Sequence, residues 1–298
     1  MYNILVTGAA GQLGKSIFDC TEAYRKYTFY FATRKELDIC DIHAVSRYCK
    51  LHAINVIINC AGYTNVDQAE SEVEKAFKIN EKGAENMAIV AKELSCKLMH
   101  ISTDYVFEGD ATRPYKEDDV NNPITVYGKS KLAGEVLIKK INPKNSVIVR
   151  TSWLYSQYAA NFFKTMLRLG KEKTEFSVVN DQRGCPTYAV DLANALLKMI
   201  PNIMCGQVKT YHFSNEHTTT WYLFAKRIIN AVYKNVQVNP IPSSAFFTKA
   251  KRPVYSVLDC TRIKKDYGLT IRTWEAALES CLGSVFDAGE NRNIENRK

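Results

Sequence analysis

Residues 3–20 read NILVTGAAGQLGKSIFDC, and this stretch decides the fold. Its apolar start is typical of a short buried strand, and the residues from Lys15 onward have the pattern of a helix. Between them, Gly8, Gly11 and Gly14 are spaced three apart. Such glycines let the backbone turn tightly and approach a pyrophosphate, which then faces the helix N-terminus. Glycines also end strands for purely structural reasons, but their position directly behind a first strand favours a dinucleotide-binding turn.

A second predicted strand, residues 28–32, ends where a dinucleotide fold places the side chain that contacts the adenosine ribose. Arg34 stands here, twenty residues after Gly14, instead of the acidic residue that would accept from a ribose 2′-hydroxyl. An arginine is suited to a 2′-phosphate, so this position favours NADPH over NADH. Asp38 follows four residues later and could serve NADH, so both cofactors stay open.

Two further predicted strands, residues 55–59 and 98–101, are each followed by small or hydroxyl residues. After the first of them, Ala61 and Gly62 either leave room for a cofactor against the backbone or form an ordinary tight turn. Strand patterns alternate with helix patterns through this half of the chain. The alternation predicts an α/β protein with a Rossmann-like, doubly wound parallel sheet and ligands at the carboxyl ends of its strands.

The predicted strand at residues 98–101 leads into Ser102 and Thr103, and Tyr127 and Lys131 follow 24 and 28 residues after Thr103. Side chains four apart on a helix lie on one face. We predict that the Lys131 ammonium lowers the pKa of the Tyr127 phenol, about 10 when unperturbed, and makes it a usable acid. Tyrosine and lysine at this spacing also occur by chance on solvated helices, so the pair depends on its upstream context.

The composition is that of an ordinary globular protein: 298 residues, of which 46% are hydrophobic and 24% charged. The sequence has neither an apolar run of about 18 residues nor a signal-peptide pattern, so we expect a cytoplasmic protein that does not contact membranes. Nine dispersed cysteines without a C-x-x-C pair favour free thiols in the core. Five scattered histidines predict no metal site.

The formal charge of +9 indicates an anionic partner without naming it. The densest basic clusters are not interleaved with aromatic residues, as they would be in a groove for single-stranded nucleic acid. We therefore expect no nucleic-acid partner. A solvated basic surface is the simplest interpretation, and a small substrate that carries phosphate is the next.

Ten segments carry a family resemblance that extends over nearly the whole chain. They are TGAAGQLG, CAGYTNVDQAE, STDYVFEG, PYKEDD, VYGKSKLAGE, VRTSWLY, NFFKTMLRLG, VVNDQRGCPTY, TTTWYLFA and RPVYSVLD. Together they resemble the extended short-chain dehydrogenase/reductases and, within these, the dTDP-4-dehydrorhamnose reductases. The resemblance implies reduction of the C4 ketone of a nucleotide sugar by NADPH or NADH. The implied reaction converts dTDP-4-dehydro-L-rhamnose to dTDP-L-rhamnose, a precursor of cell-surface polysaccharide.

The resemblance also implies roles for individual residues. Thr103, Tyr127 and Lys131 match the catalytic triad of the family, with Tyr127 as the proton donor and both Tyr127 and Lys131 beside the cofactor. Asp104, Tyr105 and Trp153 match positions that line the sugar pocket in the family. The remaining implied cofactor contacts are Gly8, Gly11, Gln12, Leu13 and Gly14 at the pyrophosphate, Asp38 and Ile39 at the adenine side, and Ala61, Gly62 and Tyr63 at the nicotinamide side.

Some positions depart from the family pattern and leave the exact sugar open. Tyr255 stands where RPxNS-type sequences carry asparagine. Gly62 and Tyr63 replace the residues that the family more commonly carries in the turn after the predicted strand 55–59. Related dehydratases carry an Asp-Glu pair after the catalytic threonine, whereas Asp104 and Tyr105 follow it here. The missing glutamate favours simple reduction over elimination of water.

Four polar residues are candidates for binding the diphosphate of a nucleotide sugar: Gln182, Arg183, Lys251 and Arg252. We rank Arg252 first because a guanidinium fork fits phosphate better than a point charge does. Each of the four could instead be an ordinary surface residue.

The sequence predicts two domains. Residues 1–152 form the dinucleotide-binding domain, to which residues 181–215 return. Residues 153–180 and 216–285 form a smaller, discontinuous α/β substrate domain. Residues 287–298 are polar and lack periodicity, so we expect a disordered tail.

Two other functions stay open from sequence: a reductase of a different nucleotide-linked 4-ketosugar, and a regulatory, non-catalytic dinucleotide-binding subunit, which the family resemblance also includes. The intact set of Thr103, Tyr127 and Lys131 weighs against the regulatory subunit. A homodimer is also open, since the polar helix pattern after Glu72 could contribute to a subunit contact.

Overall fold

The structure is a computed structural model that describes residues 2–295, with side chains described as far as residue 286. The strands are β1 (Tyr2–Thr7), β2 (Tyr27–Ala32), β3 (Val56–Asn59), β4 (Lys97–Thr103), β5 (Val147–Thr151), β6 (Leu154–Tyr155), β7 (Glu175–Val179), β8 (Arg183–Gly184), β9 (Thr187–Tyr188), β10 (Lys209–Phe213), β11 (Thr219–Thr220) and β12 (Gln237–Ile241). The helices are α1 (Gln12–Cys20), α2 (Ile42–Leu51), α3 (Val66–Ala69), α4 (Val73–Phe77), α5 (Gly83–Glu93), α6 (Val126–Ile141), α7 (Phe162–Glu172), α8 (Ala189–Met199), α9 (Trp221–Val232), α10 (Thr261–Tyr267) and α11 (Trp274–Glu295).

The main sheet has six strands in the order β10-β5-β4-β3-β1-β2, and each adjacent pair is parallel. The order reverses between β1 and β3, which is where doubly wound sheets leave a crevice for ligands. The Rossmann-like fold predicted from the alternating pattern is confirmed. The crevice lies beside the glycine turn that follows β1.

The middle parts of the central strands are mostly apolar because both faces of the sheet are covered. Val56, Ile57 and Ile58 in β3, for example, are all fully buried. Helices α2, α5 and α6 contribute to the core on one face, together with Leu5, Ile57, Leu98 and Ile148. Helices α1 and α8 contribute to the core on the other face, together with Ile4, Val6, Ile58 and Val149.

Helix α6 carries the candidate catalytic pair, and its start is fixed by its cap. Thr125 is the N-cap, and its hydroxyl accepts a hydrogen bond from the Gly128 N–H at 3.0 Å. Gly128 lies against the backbone carbonyl of Tyr105 so closely that a Cβ atom would not fit. This contact presses the first turn of α6 onto the segment that follows Thr103. The helix ends at Asn142, whose φ of 54° is left-handed.

A second, smaller core forms around the parallel pair β7 and β12, with α7, α9 and the start of α11 packed on it. Most of it comes from the two ranges that the sequence assigns to a substrate domain. Cys260, Ile263 and Ile271 are an exception, because they pack on the main core although they lie in the second range. Strand β10 joins the main sheet beside β5, within the range 181–215 expected to return there.

The final helix differs from the expectation of a disordered tail. Helix α11 continues to Glu295, and residues 296–298 lie outside the described residues. The buried residues Trp274, Leu278 and Cys281 recur at helical spacing and begin this helix. After Cys281 the chain contains no proline, so nothing in its covalent structure ends the helix there. Among residues 2–295, no helix has both the length and the apolar character that a membrane span requires.

Candidate active site

The glycine turn after β1 lies directly against the turn after β3. Gly8 has a left-handed φ of 65°, and a Cβ atom there would lie 2.7 Å from the backbone nitrogen of Ala61. Gly14 is equally confined, since its Cβ would lie 2.6 Å from Ala9 Cα. Both positions therefore require glycine for close backbone packing. The result is a cradle of bare backbone at the carboxyl edge of the sheet.

The N-terminus of α1 opens onto this cradle. Gly11 is the N-cap in an extended conformation, and its N–H donates to the Gly8 carbonyl at 2.9 Å. Gln12 and Leu13 begin the helix, so their N–H groups belong to the first turn, which has no intrahelical acceptors. The Gln12 side chain binds elsewhere: its oxygen accepts from Ser156 at 3.0 Å and from Asn161 at 2.8 Å. Leu13 is buried in the main core.

The predicted adenine-side residues lie in the turn after β2. Arg34 and Asp38 are both exposed there. One oxygen of Asp38 accepts from the Cys40 N–H at 2.9 Å. Ile39 is buried, with its carbonyl accepting from the Asn86 amide at 3.0 Å and its side chain packed against Gly83. Arg34 and Asp38 are therefore both accessible in this turn, and the geometry does not choose between the two cofactors.

Thr103 and Tyr127, 24 residues apart in sequence, meet at the mouth of the cleft. The Thr103 hydroxyl is buried at the end of β4, close enough to the Tyr127 phenol to influence its pKa. It also donates to Asp104 Oδ1 at 3.0 Å and accepts from the Tyr105 N–H at 3.2 Å. The ring of Tyr105 packs edge-on against that of Tyr127, with 5.5 Å between centroids. Two hydroxyl groups thus face one small volume.

The pKa of Tyr127 differs from the sequence-based expectation. Enclosure by protein raises the pKa of this phenol above its usual value, and the contact with Thr103 only partly opposes that rise. The expectation that Lys131 lowers this pKa is wrong for this geometry, because the ammonium points at other acceptors. The phenol therefore holds its proton throughout the neutral range.

Lys131 lies beneath the turn that follows β3, which is called the third turn below. Its ammonium donates to the Ile101 carbonyl at 2.6 Å, and its Nζ is 3.3 Å from His100 Nε2. A Cβ atom on Gly62 would come within 3.9 Å of the same Nζ, so the lysine faces that turn. Burial lowers the pKa of Lys131 to about 8, although the negative charge of Glu135 opposes the change.

Asp104 is buried beside Thr103, with only 3% of its surface exposed. Burial raises the pKa of this carboxyl to about 6, although hydrogen bonds from Ser256 and Thr103 oppose the rise. Asp104 Oδ2 has no hydrogen-bond partner among the described residues. A buried carboxyl oxygen of this kind is available to a hydroxyl group that enters the cleft.

The four residues predicted to bind the diphosphate differ in their position relative to the cleft. Arg252 reaches the cleft: it donates to the Tyr105 hydroxyl at 3.3 Å and to Asp67 Oδ2 at 2.7 Å. Arg183 and Lys251 are exposed. The buried Gln182 donates to the Ser243 hydroxyl at 2.9 Å.

Trp153 stacks face to face on Trp221, with 3.5 Å between ring centroids and 8° between ring planes. One of its faces is therefore already covered. Its φ of 46° is left-handed. No sequence pattern connects these two tryptophans, which are 68 residues apart.

Asn80 is a site residue that the sequence did not single out. It lies in the π-helical turn Lys78–Lys82, where a polar helix pattern hides it. Its amide oxygen accepts from the Tyr63 N–H at 2.8 Å, and its nitrogen donates to the Tyr63 carbonyl at 3.0 Å and to Ser130 at 2.9 Å. The side chain joins the third turn to α6. The π-turn marks this residue only in the structure, where such turns often occur at functional sites.

Comparison with known proteins identifies the family. Residues 2–286 match the family model described as RmlD substrate binding domain. A protein named dTDP-4-dehydrorhamnose reductase from Aggregatibacter actinomycetemcomitans is 40% identical over 289 residues, which is 94% of this chain and 98% of that protein. The chain belongs to the dTDP-4-dehydrorhamnose reductase family.

Two more members of this family are informative. The spore coat polysaccharide biosynthesis protein SpsK of Bacillus subtilis is 39% identical over 286 residues, covering 95% of this chain and 97% of that one. The crystal structure of dTDP-4-dehydrorhamnose reductase from Bacillus anthracis, in complex with NADP, superposes with a TM-score of 0.91 at 41% identity. That match covers 95% of this chain and all of the other.

The residues present here fit a dinucleotide. The bare-backbone cradle between Gly8 and Ala61 would be filled by any side chain at position 8. The first turn of α1 offers N–H groups to a pyrophosphate. Gly62 and Lys131, which face each other, are the residues that would hold the nicotinamide end of a dinucleotide.

Proposed function

We propose that this protein reduces the C4 ketone of dTDP-4-dehydro-L-rhamnose with NADPH or NADH and releases dTDP-L-rhamnose. The observation that supports this most directly is that Tyr105 brings Thr103 and Tyr127 together: its N–H donates to the Thr103 hydroxyl, and its ring packs on that of Tyr127. A bound reduced nicotinamide supplies the hydride. A ketone that accepts a hydride becomes an alkoxide unless a proton arrives with it, so the site needs an acid near the ketone oxygen.

Tyr127 is that acid in our proposal. Because its pKa is raised, the phenol carries a proton at neutral pH, and it can still transfer this proton to the C4 oxygen because the alkoxide that forms there is a stronger base. Thr103 gives a second hydrogen bond to the same oxygen and fixes its position. Lys131 orients the nicotinamide ribose from beneath Gly62. Its positive charge stabilises the Tyr127 phenolate that forms when the proton leaves.

The substrate side is proposed to bind the rest of the nucleotide sugar. Asp104 and Tyr105 face the sugar, and the exposed part of Trp153 packs on it. Arg252 binds the diphosphate, exchanging part of its interaction with Asp67 for phosphate oxygens. The dinucleotide occupies the domain of residues 1–152 with 181–215, and the substrate lies against residues 153–180 and 216–285.

We place the reaction in the cytoplasm, as a step in making polysaccharide precursors. The nine cysteines, all within the described residues, are free thiols, as is typical of a reducing compartment. The similarity to the spore coat protein SpsK supports the polysaccharide context. We propose no nucleic-acid partner, and a homodimer remains part of the proposal to be tested by light scattering.

The direct test is loss of absorbance at 340 nm when the purified protein is mixed with reduced cofactor and a panel of 4-keto nucleotide sugars. We expect the fastest loss with dTDP-4-dehydro-L-rhamnose. A faster reaction with another nucleotide-linked 4-ketosugar would change the substrate but not the chemistry. A flat trace with every sugar would favour a regulatory dinucleotide-binding role.

Cofactor preference is tested with Arg34. If this side chain binds the 2′-phosphate, Arg34→Ala raises the KM for NADPH and leaves the KM for NADH unchanged. Lys35→Ala is the matched control, because Lys35 is a neighbouring exposed cation in the same turn. Equal changes for both cofactors, or for both variants, would remove Arg34 from the cofactor site.

A further inference from the structure

A row of buried polar side chains crosses the main sheet and ends at Lys131. Thr7 on β1 pairs in register with Asn59 on β3, and Asn59 pairs in register with His100 on β4. All three point to the sheet face that α6 covers, two residues beyond the apolar row of Leu5, Ile57 and Leu98 in the core on that face. None of the three is more than 1% exposed. Three adjacent polar side chains inside a parallel sheet require a reason, because burial of unpaired polar groups is costly.

The members of this row contact one another in sequence. The Thr7 hydroxyl lies 2.7 Å from Asn59 Oδ1, and Asn59 Nδ2 lies 3.0 Å from His100 Nδ1. On the far side of the ring, His100 Nε2 lies 3.3 Å from Lys131 Nζ. The imidazole therefore stands between a neutral amide and an ammonium. Burial and the charge of Lys131 keep the pKa of His100 well below its usual value, so the ring is neutral.

The chemistry of the donors fixes the tautomer. An ammonium only donates hydrogen bonds, so Nε2 must accept and Nδ1 must carry the single ring proton. The Nδ1–H then donates to the Asn59 amide oxygen, which places the amide nitrogen against the Thr7 hydroxyl. The same set of distances fits this arrangement when the Asn59 amide is turned by half a turn, because its oxygen and nitrogen ends are nearly identical in shape.

We propose that His100 is a positioning residue for Lys131. Its Nε2 accepts a hydrogen bond from the ammonium and holds it beneath Gly62, and Asn59, supported by Thr7, keeps the ring protonated on Nδ1. With Ile101 as the second acceptor, two directions of the ammonium are fixed. The proposal deepens the reductase function, because the group it positions is the cation beneath the nicotinamide ribose.

Other groups around Lys131 do not replace this contact. Three titratable groups face the lysine: Glu135 on the same helix, Cys60 after β3, and His100 on β4. Glu135 is held by the buried Arg150, with 2.6 Å between Glu135 Oε2 and Arg150 Nη2. Cys60 is a protonated thiol at neutral pH because burial raises the pKa of its sulfhydryl to about 12. His100 is thus the neutral side-chain acceptor of the lysine.

Two amide variants separate the two sides of the ring. His100→Gln keeps a polar atom where Nε2 stands and can still accept from Lys131. His100→Asn is shorter, keeps a polar atom near Nδ1 and leaves Lys131 without this acceptor. Both variants are neutral and polar, so the two differ chiefly in their reach toward the ammonium.

For His100→Asn we expect kcat to fall about 10- to 100-fold, the effect of losing one hydrogen bond to a charged group. The alkaline limb of its kcat–pH profile moves to lower pH, because an ammonium without its acceptor loses its proton more readily. His100→Gln stays close to the wild type in both readouts. A merely structural role would lower the melting temperature of both variants and leave the alkaline limb where it is. Equal loss of activity in the two variants, or an unmoved limb in His100→Asn, overturns the proposal.

A second measurement keeps the proposal testable if the variants do not fold. In the ¹⁵N NMR spectrum of the wild-type protein with labelled histidine, we expect His100 to be protonated on Nδ1, with Nε2 as an acceptor at pH 7. A ring protonated on Nε2 overturns it. This spectrum needs no substrate, so it also separates the two proposals. Failure of every 4-keto sugar would end the reductase assignment while the tautomer still decides the role of His100.

Discussion

The proposed function divides the cleft into a cofactor wall and a substrate wall, and the two are built in different ways. The cofactor wall consists of backbone turns at strand ends, and its critical residues, Gly8, Gly14 and Gly62, contribute no side chain. The substrate wall consists of large side chains brought from distant segments, such as Trp153 with Trp221 and Tyr105 with Arg252. The first wall is a local consequence of one strand and turn. The second exists only when segments separated by many residues are packed together.

The difference has an energetic consequence. The backbone cradle is already formed without a ligand, because Gly8 packs directly against Ala61. The substrate wall already has internal partners, since Arg252 is paired with Asp67 and Trp153 with Trp221. Substrate must therefore compete with existing contacts there. We expect variants of the two walls to separate in kinetics, with kcat reporting groups next to the cofactor and KM reporting the substrate wall.

The largest effect is expected where the two walls meet. Tyr127→Phe removes the proton donor, so kcat should fall about 10²- to 10⁴-fold. Binding of NADPH, followed by fluorescence titration, should be retained because the ring remains. Tyr233→Phe, which removes a hydroxyl in the second core, is the control and should leave kcat unchanged. Near-normal turnover of Tyr127→Phe would remove Tyr127 from the chemistry.

The next largest effect is expected for the buried ion pair between Glu135 and Arg150. Glu135 and Arg150 are both fully buried, and truncating one partner leaves the other charge without compensation. Glu135→Ala should therefore lower the free energy of unfolding by about 3–5 kcal/mol, measured by denaturant titration. Glu93→Ala on the exposed side of α5 should change it by no more than about 0.5 kcal/mol. Similar values for both variants would mean that the buried pair is not needed for stability.

The pH dependence of stability tests the buried carboxyl between the two walls. The folded-state pKa of Asp104 is raised to about 6, so its ionisation in the folded protein costs stability that is fully lost above pH 6. Below about pH 3 the folded and unfolded forms are both largely protonated and the cost disappears. Relative to the wild type, Asp104→Asn should gain about 3 kcal/mol on going from pH 3 to pH 8.

The matched control for this prediction is Asp110→Asn, which removes an exposed carboxylate nearby. Its stability relative to the wild type should stay constant over the same pH range. If Asp104→Asn behaves in the same way in pH-dependent thermal melts, Asp104 is solvated in the folded state and the substrate wall is more open than described.

The smallest effect is expected on the substrate wall itself. Arg252→Ala should raise the KM for the nucleotide sugar about tenfold, the value of one charged hydrogen bond, and leave the KM for NADPH unchanged. Lys251→Ala is the control, since this neighbouring cation is exposed. If Arg252→Ala changes both Michaelis constants equally, the arginine holds the two walls together through Asp67 and does not bind the diphosphate.

Much of the fold could be predicted because its signals are local. Each of these signals, such as an apolar strand, the three glycines or the spacing of Tyr127 and Lys131, lies within a short stretch of sequence. The parallel sheet follows from the alternation of strand and helix patterns. The tail was less predictable, because the start of α11 is stabilised by burial in the second core while its last part is polar. Helix formation there is decided by packing upstream.

The sequence by itself determined the parallel sheet, the glycine turn and the identity of the hydroxyl and ammonium groups, since each depends on residues close together in the chain. Only the tertiary structure decided what surrounds those groups. It turned Lys131 toward His100 and Ile101, raised the pKa of Tyr127, and placed Thr7, Asn59 and His100 in one buried row. The physical reason is that desolvation and hydrogen bonding depend on neighbours in space. Thr7, Asn59 and His100 come from adjacent strands more than 40 residues apart in sequence, and Lys131 lies 31 residues after His100 on a helix.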